Sequence, residues 1–408
     1  MTTFHSLLVT GVYPPRRGAI GSYTACLGRA LQAAGLSVDI VTGTGEPGQE
    51  MLEARAQPGT SPSDTAGRAH SIVPGWGPSG VAHVVNFARD RSPAVVNLQY
   101  VPYLYGARGI APAVALLPLL LRRAGIASVV TLHGLAAPRS LQPAGLVLAA
   151  IHRVQLSLLL AADASIVTTA HRERVVQRWF PWLGARARCI PVGANTPGKA
   201  VSRATRVEFR KHMGLDGNLV LACYGTTHPS KHPSWVLDTL IAARQAGIDA
   251  RLLAIGQEEQ LYLEALASVP PDYGLIRHTV HWTGWVPDGK VSLFLKGADL
   301  LLQPFVDGVS TLRGSLMAGL QDGIPVVTTA GRETDHRLFQ DSIVALAPHN
   351  DRAAFIATAL KWCREPPEQR RRLGDAGQAL FTRLATWERI SAKVAEVHRF
   401  ALARGGRT

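Results

Sequence analysis

Short β-prone apolar runs alternate with helical segments in this sequence, and the whole series occurs twice. The strand-like runs of the first series lie at residues 6–12, 38–41, 94–98, 128–132, 165–168 and 188–192. Those of the second series lie at residues 219–224, 251–255, 281–284, 300–303 and 326–328. Because a strand followed by a crossover helix returns in parallel, the alternation predicts an α/β protein with two parallel sheets in tandem.

A short segment rich in Gly and Pro separates the two series. Residues 193–198, GANTPG, predict an inter-domain linker. We therefore predict one domain over residues 1–194, a second over residues 195–385 and a terminal helix within residues 386–408. The stretch 43–64 is rich in Gly, Pro, Ser and Glu and predicts a mobile loop. Parallel sheets bind ligands at the carboxyl ends of their strands, so we expect the two sheets to face a ligand-binding cleft.

Composition excludes several classes of protein. The 408 residues are 47% hydrophobic and 18% charged, whereas disordered chains are polar and highly charged. The four cysteines form no CxxC, which argues against a disulfide scaffold or a zinc cluster and fits a reducing cytosol. The apolar run at 110–121 is shorter than the ~20 residues of a spanning helix, and no secretory signal is recognisable, so we expect a cytoplasmic protein.

The net charge of +14 suggests an anionic partner. The arginines are spread evenly without a dense basic run or interleaved aromatic residues, which argues against nucleic acid. A phosphorylated substrate or an anionic lipid surface fits the charge better. Residues 112–123 end in two arginines and are interpreted either as a helix on a membrane surface or as a buried helix.

The loop after the first strand is the first candidate site. It contains Gly18 and Gly21 in the order PPRRGAIGSY, and Ser22 is a candidate N-cap of the following helix. Glycines permit close backbone approach, and the N–H groups at a helix N-terminus attract phosphate. An ordinary turn between strand and helix is the alternative interpretation.

This loop and later motifs resemble the GT-B glycosyltransferases of the GT4 type, also called glycosyl transferases group 1. The stretch PPRRGAIGSYTACLGRALQAAGLSVDIVTG resembles their N-terminal signature, with Ala19 in place of its second Gly. The resemblance extends through VVTLHG, YGTTHPSKHP, HWTGWVP and DGIPVVTT, and covers nearly the whole chain. It implies two Rossmann-like domains that face a central cleft and a C-terminal helix that crosses back towards the first domain.

The resemblance also implies roles for individual residues. His133 falls on a histidine that lies beside the reacting sugar, and Lys231 on a lysine that holds the donor diphosphate. Thr226 stands where the family has an arginine, and Val286 belongs to the loop that reads the nucleobase. A solvated loop lysine is the alternative for Lys231, and a histidine that caps a strand end is the alternative for His133.

The family motif of two glutamates eight positions apart is divergent in this chain. The two positions are Ser310 and Ala318. Asp307 offers a nearby carboxylate as a candidate catalytic group, and hydroxyl or cationic donor-binding groups are expected from Ser310, Thr311, Arg313 and Ser315. Arg313 is a candidate replacement for the charge lost at Thr226. A capped helix start without function is the alternative interpretation of this segment.

In the first domain, Gln99 and Tyr100 follow a strand, and we expect them to contact the acceptor together with Tyr23. Amide and phenol groups suit sugar hydroxyls and ring faces, although a packed loop is equally compatible with this segment. No D-x-D motif for a metal-bound diphosphate is present, and the four neighbouring histidines 228, 232, 278 and 281 lack the spacing of a metal site.

These observations predict a glycosyltransferase that moves a sugar from a nucleotide-diphosphate donor to an acceptor hydroxyl. The family resemblance implies retention of configuration and no catalytic metal. We expect no cofactor, a sugar or lipid-linked acceptor in polysaccharide or glycoconjugate synthesis, and contact with the inner membrane face as an open alternative. A non-catalytic sugar-nucleotide-binding subunit is a second hypothesis, motivated by the missing glutamates. A GT-B epimerase or pseudo-glycosyltransferase is a third.

Overall fold

The computed structural model describes residues 4–16, 18–44, 68–135, 142–184, 186–228, 230–266 and 268–405. Most of the loop predicted at 43–64 therefore lies outside the described residues, as do Arg17 and Pro229 of the two loop motifs. The chain divides into two compact units, one of residues 1–191 with 387–408 and one of residues 192–386. None of the described helices is both long enough and apolar enough to cross a bilayer.

In the described part of the first unit, seven parallel strands form one sheet in the order β3-β2-β1-β4-β5-β6-β7. The strands are β1 (His5–Thr10), β2 (Ser37–Gly43), β3 (Arg68–Val73), β4 (Val95–Tyr100), β5 (Ala127–Leu132), β6 (Ala164–Val167) and β7 (Ala187–Cys189). β4 and β5 are buried along their whole length, since helices cover both faces of such a sheet. This is why the sequence shows continuous apolar runs rather than alternation there.

Apart from the terminal α16, the helices of this unit connect successive strands. They are α1 (Ala19–Ala33), α2 (Pro78–Arg91), α3 (Pro112–Ala115), α4 (Leu117–Arg123), α5 (Pro143–Leu159), α6 (Ala170–Trp179), α7 (Pro181–Gly184) and the terminal α16 (Trp387–Gly405). Helix α16 packs on α1 and on the face of β4, β5 and β6, with Ile390 and Val394 fully buried. The last helix in sequence thus completes the core of the first unit.

The second unit repeats this architecture. Its described residues form a six-stranded parallel sheet in the order β10-β9-β8-β11-β12-β13. The strands are β8 (Leu219–Tyr224), β9 (Ala250–Ile255), β10 (Val280–Trp282), β11 (Leu300–Gln303), β12 (Val326–Ala330) and β13 (Ala345–Pro348). The helices are α8 (Arg203–His212), α9 (Pro233–Gln245), α10 (Glu259–Glu264), α11 (Tyr273–Ile276), α12 (Asp288–Gly297), α13 (Gly314–Gln321), α14 (Arg352–Arg364) and α15 (Pro367–Leu384).

The predicted fold class, two parallel Rossmann-like sheets, is confirmed. The strand runs predicted from the sequence did not include β3 and β13. The strand β3 is an edge strand with half-exposed, polar residues, so it lacks the apolar run that marks an inner strand. The N-cap prediction for Ser22 is wrong, because α1 begins at Ala19 and Gly18 occupies its N-cap position.

Residues 112–123 form two short helices, α3 and α4, that meet at Leu116. Leu117, Pro118 and Leu121 of α4 are buried, and only its two arginines and Leu116 before it are well exposed. Of the two interpretations of this segment, the buried helix fits the structure and the helix on a membrane surface does not.

Candidate functional site

Most of the predicted residues lie at the carboxyl ends of the strands, near the point in each sheet where the strand order reverses. In the first unit β2 lies on one side of β1 and β4 on the other, and in the second unit β9 and β11 flank β8 in the same way. Ligands of open parallel sheets bind at such points, because the adjacent loops diverge there. The loops after β1, β4 and β5 and those after β8 and β11 are therefore the candidate regions of the two units.

Lys231 lies in the loop between β8 and α9, and backbone carbonyls orient its ammonium group. Its Nζ donates hydrogen bonds to the carbonyl oxygens of Tyr224 at 3.0 Å and Thr226 at 3.2 Å. The backbone of Lys231 pairs with that of Phe305 in an antiparallel bridge, which joins this loop to the one after β11. An ammonium group has three N–H donors, so its capacity exceeds these two bonds.

Burial lowers the pKa of Lys231 to about 8, against the opposing influence of Cys223 and with a further lowering by the Arg313 guanidinium. Both causes of the lowering disfavour the charged form of the lysine. An anion bound beside Nζ would reverse this, because it favours the ammonium. The electrostatics of the loop therefore suit a negatively charged ligand.

The ammonium of Lys231 and the start of helix α13 approach each other at Gly225. A Cβ atom added to Gly225 would lie 3.3 Å from Lys231 Nζ and 3.4 Å from Ser315 Cβ, in the first turn of α13. Gly225 also has φ of +89°, a conformation that favours glycine. A cation and a side chain from the first turn of α13 thus meet beside one glycine. A cation next to a helix N-terminus is an arrangement that can bind phosphate.

Gln303, which ends β11, connects the two sides of this arrangement. Its Nε2 donates to the carbonyl of Tyr224 at 3.0 Å, and its Oε1 accepts from Ser315 Oγ at 3.2 Å. The sequence analysis did not identify Gln303. The signal was present, since it is a buried polar residue at the end of an apolar strand, where such folds hold their ligands.

Arg313, predicted to bind the donor, precedes α13 on the same side of the unit. Its Nη1 donates to Ser230 Oγ at 3.0 Å, and its guanidinium lies over the ring of Phe305 at 4.7 Å from the ring centre. The loop that carries Lys231 and the helix start that carries Arg313 are therefore joined through Ser230.

Asp307, Ser310 and Thr311 lie in the loop between β11 and α13, and their contacts differ. The Asp307 carboxylate forms an ion pair with Arg332 at 2.9 Å. The hydroxyl of Ser310 is buried and finds no hydrogen-bond partner among the described residues. Thr311 is buried and its carbonyl accepts from Val192 N–H. The predicted catalytic role of Asp307 stays a prediction, and the Ser310 hydroxyl retains its capacity for a ligand.

Thr226 and Val286 differ in exposure. Thr226 is exposed and contributes its carbonyl to Lys231. Val286 is buried in the loop after β10, where the N–H of Gly284 donates to the carbonyl of Gln257 at 2.9 Å. Thr227 in turn donates to Gln257 Oε1 at 2.6 Å. The loops after β8, β9 and β10 are thus joined through Gln257, a second residue that the sequence analysis did not identify.

His133 follows β5 in the first unit and is held from several directions. Its Nε2 forms a 3.0 Å hydrogen bond with Gln99 Oε1, and its carbonyl accepts from Arg172 at 2.6 Å. The ring of Tyr23 packs edge-on at 4.7 Å. Burial, with a smaller contribution from Arg172, lowers the pKa of His133 to about 3, so the imidazole is neutral at physiological pH.

Of the three predicted acceptor contacts, Tyr100 does not fit the structure, and those of Gln99 and Tyr23 stay predictions. Tyr100 is a core residue: its ring is buried on the opposite side of β4 from Gln99 and stacks on Tyr105. Gln99 and Tyr23 are also buried, and their contacts are with His133. Successive side chains of a strand face opposite sides of the sheet. Gln99 and Tyr100 therefore cannot both contact an acceptor on the same side of β4.

Gly18 and Gly21 lie at the start of α1, and packing explains both. A Cβ at Gly18 would lie 2.9 Å from a methyl carbon of Val12, and one at Gly21 would lie 2.9 Å from the carbonyl of Val12. These glycines therefore permit α1 to approach the end of β1. Their predicted contact with a donor phosphate stays a prediction.

No group of three His, Cys, Asp or Glu residues that could hold a metal ion occurs among the described residues. His228 donates to or accepts from Ser230, and His232 stacks on Trp235, so these two histidines have other contacts.

Two family descriptions match the chain. Residues 18–212 match the description "glycosyl transferase 4-like domain", and residues 218–365 match "glycosyl transferases group 1". The first range contains β2–β7 of the first sheet, and the second contains β8–β13, the whole second sheet.

Individual proteins give a consistent result. The chain is 24% identical over 404 residues to the GDP-mannose-dependent α-(1-6)-phosphatidylinositol monomannoside mannosyltransferase of Mycolicibacterium smegmatis, covering 96% of this chain and 97% of that protein. The sucrose-phosphate synthase of Thermosynechococcus elongatus has a TM-score of 0.71 at 18% identity, covering 98% and 100% of the two chains. HepE of Anabaena, solved with UDP and glucose, has a TM-score of 0.68 at 16% identity, covering 96% and 98%.

Proposed function

This chain belongs to the GT4-like glycosyltransferases of the GT-B fold, and from that membership we propose that it transfers a sugar from a nucleotide-diphosphate donor to an acceptor hydroxyl, with retention of configuration and without a catalytic metal. The observation that carries the donor assignment is the convergence of Lys231 Nζ and the first turn of α13 on Gly225. The proposed donor site comprises Gly225, Lys231, Gln303, Arg313 and Ser315.

In this proposal the diphosphate is the leaving group. Lys231, Arg313 and the backbone N–H groups at the start of α13 donate hydrogen bonds that stabilise it. Negative charge develops on the leaving diphosphate during transfer, and preoriented donors stabilise that charge best. Lys231 is held by two carbonyls and Arg313 by Ser230, so neither needs to reorganise at that moment. The two cations supply the neutralisation that a metal ion provides in other transferases.

His133 is assigned to a hydrogen bond with a hydroxyl of bound sugar rather than to nucleophilic attack. A neutral imidazole both donates and accepts, and its Nε2 already engages Gln99. Asp307 is left out of the proposed mechanism because of its ion pair with Arg332.

GDP-mannose is the first donor to test, because the mycobacterial relative is named as a GDP-mannose-dependent mannosyltransferase. The same name motivates a lipid-linked acceptor, and helix α5 supports a membrane-surface location. Leu146, Val147 and Val154 lie on its exposed side, each more than half exposed, and the helix contains no acidic residue.

Basic residues outnumber acidic ones in the part of the sequence that contains α5. Residues 101–190 contain Asp163 and Glu173 as their acidic residues and a much larger number of arginines. The segment that carries exposed Arg108 and Ile110 is bonded to α5 through His152 and Gln155. An exposed apolar helix face with arginines beside it is the composition of a helix that lies on an anionic bilayer. We therefore propose peripheral contact of the first unit with a membrane through α5.

Thermal stabilisation by a panel of sugar nucleotides tests the donor site. A donor at about 100-fold its Kd stabilises the native state by about 2.7 kcal/mol, which raises Tm by roughly 5–10 °C for a unit of this size. We expect one donor to produce this shift in the wild type and Lys231→Met to abolish most of it. Lys290→Met, which removes an exposed charge of the same unit, is the matched control and should keep the shift. Equal shifts in both variants would refute the assignment of Lys231.

The non-catalytic subunit remains the second candidate because Ser310 and Ala318 replace the family glutamates. It predicts donor binding with the same dependence on Lys231 but no release of nucleoside diphosphate when acceptors, including lipid extracts, are supplied. Release of the diphosphate with transfer of the sugar excludes it, and release without transfer favours the epimerase or pseudo-glycosyltransferase.

A further inference from the structure

A buried chain of hydrogen bonds connects His133 to the terminal helix of the first unit. It runs from His133 through Gln99 and Asn97 of β4 to His398 of α16, and ends at Ser6 of β1. The donor–acceptor distances along it are 3.0, 3.1, 2.9 and 3.3 Å. Gln99, Asn97, His398 and Ser6 are fully buried.

The direction of every bond in this chain follows from the orientation of the Asn97 side chain in the structure. Its side-chain oxygen accepts from two donors, Gln99 Nε2 at 3.1 Å and the Thr131 hydroxyl at 3.0 Å. The NH₂ group of Asn97 therefore faces His398 and donates to its Nε2. A nitrogen that accepts carries no proton, so His398 holds its proton on Nδ1 and donates it to Ser6 Oγ.

The same reasoning applies in the other direction. Because Gln99 donates to Asn97 through its NH₂ group, its oxygen faces His133. That oxygen requires a donor, so the proton of His133 lies on Nε2 and the lone pair on Nδ1. Burial lowers the pKa of both histidines to about 3, so each is neutral and holds one ring proton.

We infer that His398 is a positioning residue for His133: by accepting from Asn97, it fixes the amides of Asn97 and Gln99 and thereby the Nε2–H tautomer of His133. Reversal of the Asn97 amide would require the Gln99 amide to reverse, the Thr131 hydroxyl to accept and both histidines to exchange tautomers, so the orientations in this buried chain change only together. With this tautomer, Nδ1 of His133 is available to accept a hydrogen bond from a substrate hydroxyl.

Alternative roles for this chain fit less well. After burial, the Arg172 guanidinium lowers the pKa of His133 and the Arg399 guanidinium lowers that of His398. Both disfavour protonation of the rings, so the chain does not resemble a proton store. Phe4 and Tyr23 are the aromatic neighbours, in edge contact with His398 and His133 respectively.

The tautomers are measurable in the wild-type full-length protein without any substrate. Ring ¹⁵N spectra of protein labelled at its 14 histidines distinguish Nδ1–H from Nε2–H, with assignment by single substitution. We expect opposite tautomers, Nε2–H for His133 and Nδ1–H for His398. The reverse pair, or a mixture at His133, would overturn the inference.

Variants test whether His398 fixes the tautomer of His133. His398→Leu removes the acceptor of Asn97 at similar volume, and we expect a mixture of His133 tautomers. His398→Gln restores an acceptor and should restore the single tautomer. Phe4→Leu removes the ring in edge contact with His398 and leaves every hydrogen bond of the chain, so it is the matched control with unchanged tautomers. An unchanged His133 tautomer in folded His398→Leu contradicts the inference.

The kinetic consequence rests on the proposed function. We expect kcat of His398→Leu to fall about tenfold, the effect of roughly one lost hydrogen bond, with the donor KM within about twofold of wild type. His398→Gln should recover kcat to within about threefold. If the wild type transfers no sugar while the tautomers behave as expected, the proposed function fails and the positioning role stands. If transfer is normal in His398→Leu, the positioning role fails and the function stands.

Discussion

The side chain of Lys231 has three properties that suit an anion-binding site. Two carbonyls orient its ammonium, Gly225 leaves space beside it, and its surroundings lower its pKa to about 8. The family lysine was recognisable from the sequence, whereas these three properties depend on residues that are brought to it by folding. The titration of this lysine therefore provides a test at the scale of one residue.

The rate at low donor concentration should fall above pH 8. The charged ammonium binds the diphosphate, and the free protein loses this charge as the pH rises through about 8, so kcat/KM is expected to decline with a slope of about −1. Bound diphosphate favours the ammonium, so kcat at saturation should decline only at higher pH. Lys231→Arg, which stays charged, should lower the rate but remove the decline. A decline of unchanged position in this variant would assign the titration to another group.

Helix α5 is the element whose surface differs most from that expected of a helix in a closed core. Its inner side carries His152, Gln155, Leu156 and Leu159, which are buried, and its outer side is apolar rather than polar. An outer apolar face of this kind marks a surface that contacts another partner. The sequence analysis left residues 112–123 open between a membrane-surface helix and a buried helix, because hydropathy alone does not distinguish a buried apolar helix from an exposed one.

Charged substitutions on the outer face of α5 should weaken binding to anionic vesicles. We expect Leu146→Glu with Val154→Glu to reduce co-sedimentation with phosphatidylglycerol-containing vesicles at least tenfold, since it removes apolar contact and adds repulsion. Leu261→Glu, an equally exposed leucine of the second unit, is the control and should bind as the wild type does. Equal binding of all three proteins would locate the contact elsewhere or exclude it.

At the scale of the whole molecule, the chain builds two similar sheets and then completes the first with its last helix. The residues of α16 that face β4, β5 and β6 include Ile390, Val394 and His398, all fully buried. The first unit therefore depends on residues almost 400 positions apart, such as Ser6 and His398. The second unit, residues 192–386, contains no part of α16.

Ile390→Ala should destabilise the first unit selectively. Removal of a fully buried isoleucine side chain costs about 2–5 kcal/mol of unfolding free energy, so we expect the amides of β5 and β6 to exchange at least about 30-fold faster. The amides of β8 and β11 should be unaffected. Val207→Ala, half-exposed on α8, serves as the control and should change both sets by less than about 0.5 kcal/mol. Equal acceleration in both units would contradict the assignment of α16 to the first.

The sequence by itself determined the class of fold, because parallel inner strands are buried on both faces and leave continuous apolar runs. It also determined the residues that carry the family resemblance, such as His133 and Lys231, since their positions at strand ends follow from the order of elements. It could not determine β3, whose edge position leaves it polar, or the start of α1, where close packing against Val12 fixes Gly18 and Gly21.

Only the tertiary structure decided which of these residues meet. Gln99 and Tyr100 are adjacent in sequence, yet their side chains lie on opposite faces of the strand. Gln99 contacts His133, and Tyr100 stacks on Tyr105 in the core. Ser315 and Gln303 join Lys231 around Gly225, and His398 reaches Asn97 from a helix about 300 residues away. The physical reason is that hydrogen bonds and burial depend on distances in space, and these arise from the packing of elements whose sequences give no sign of their partners.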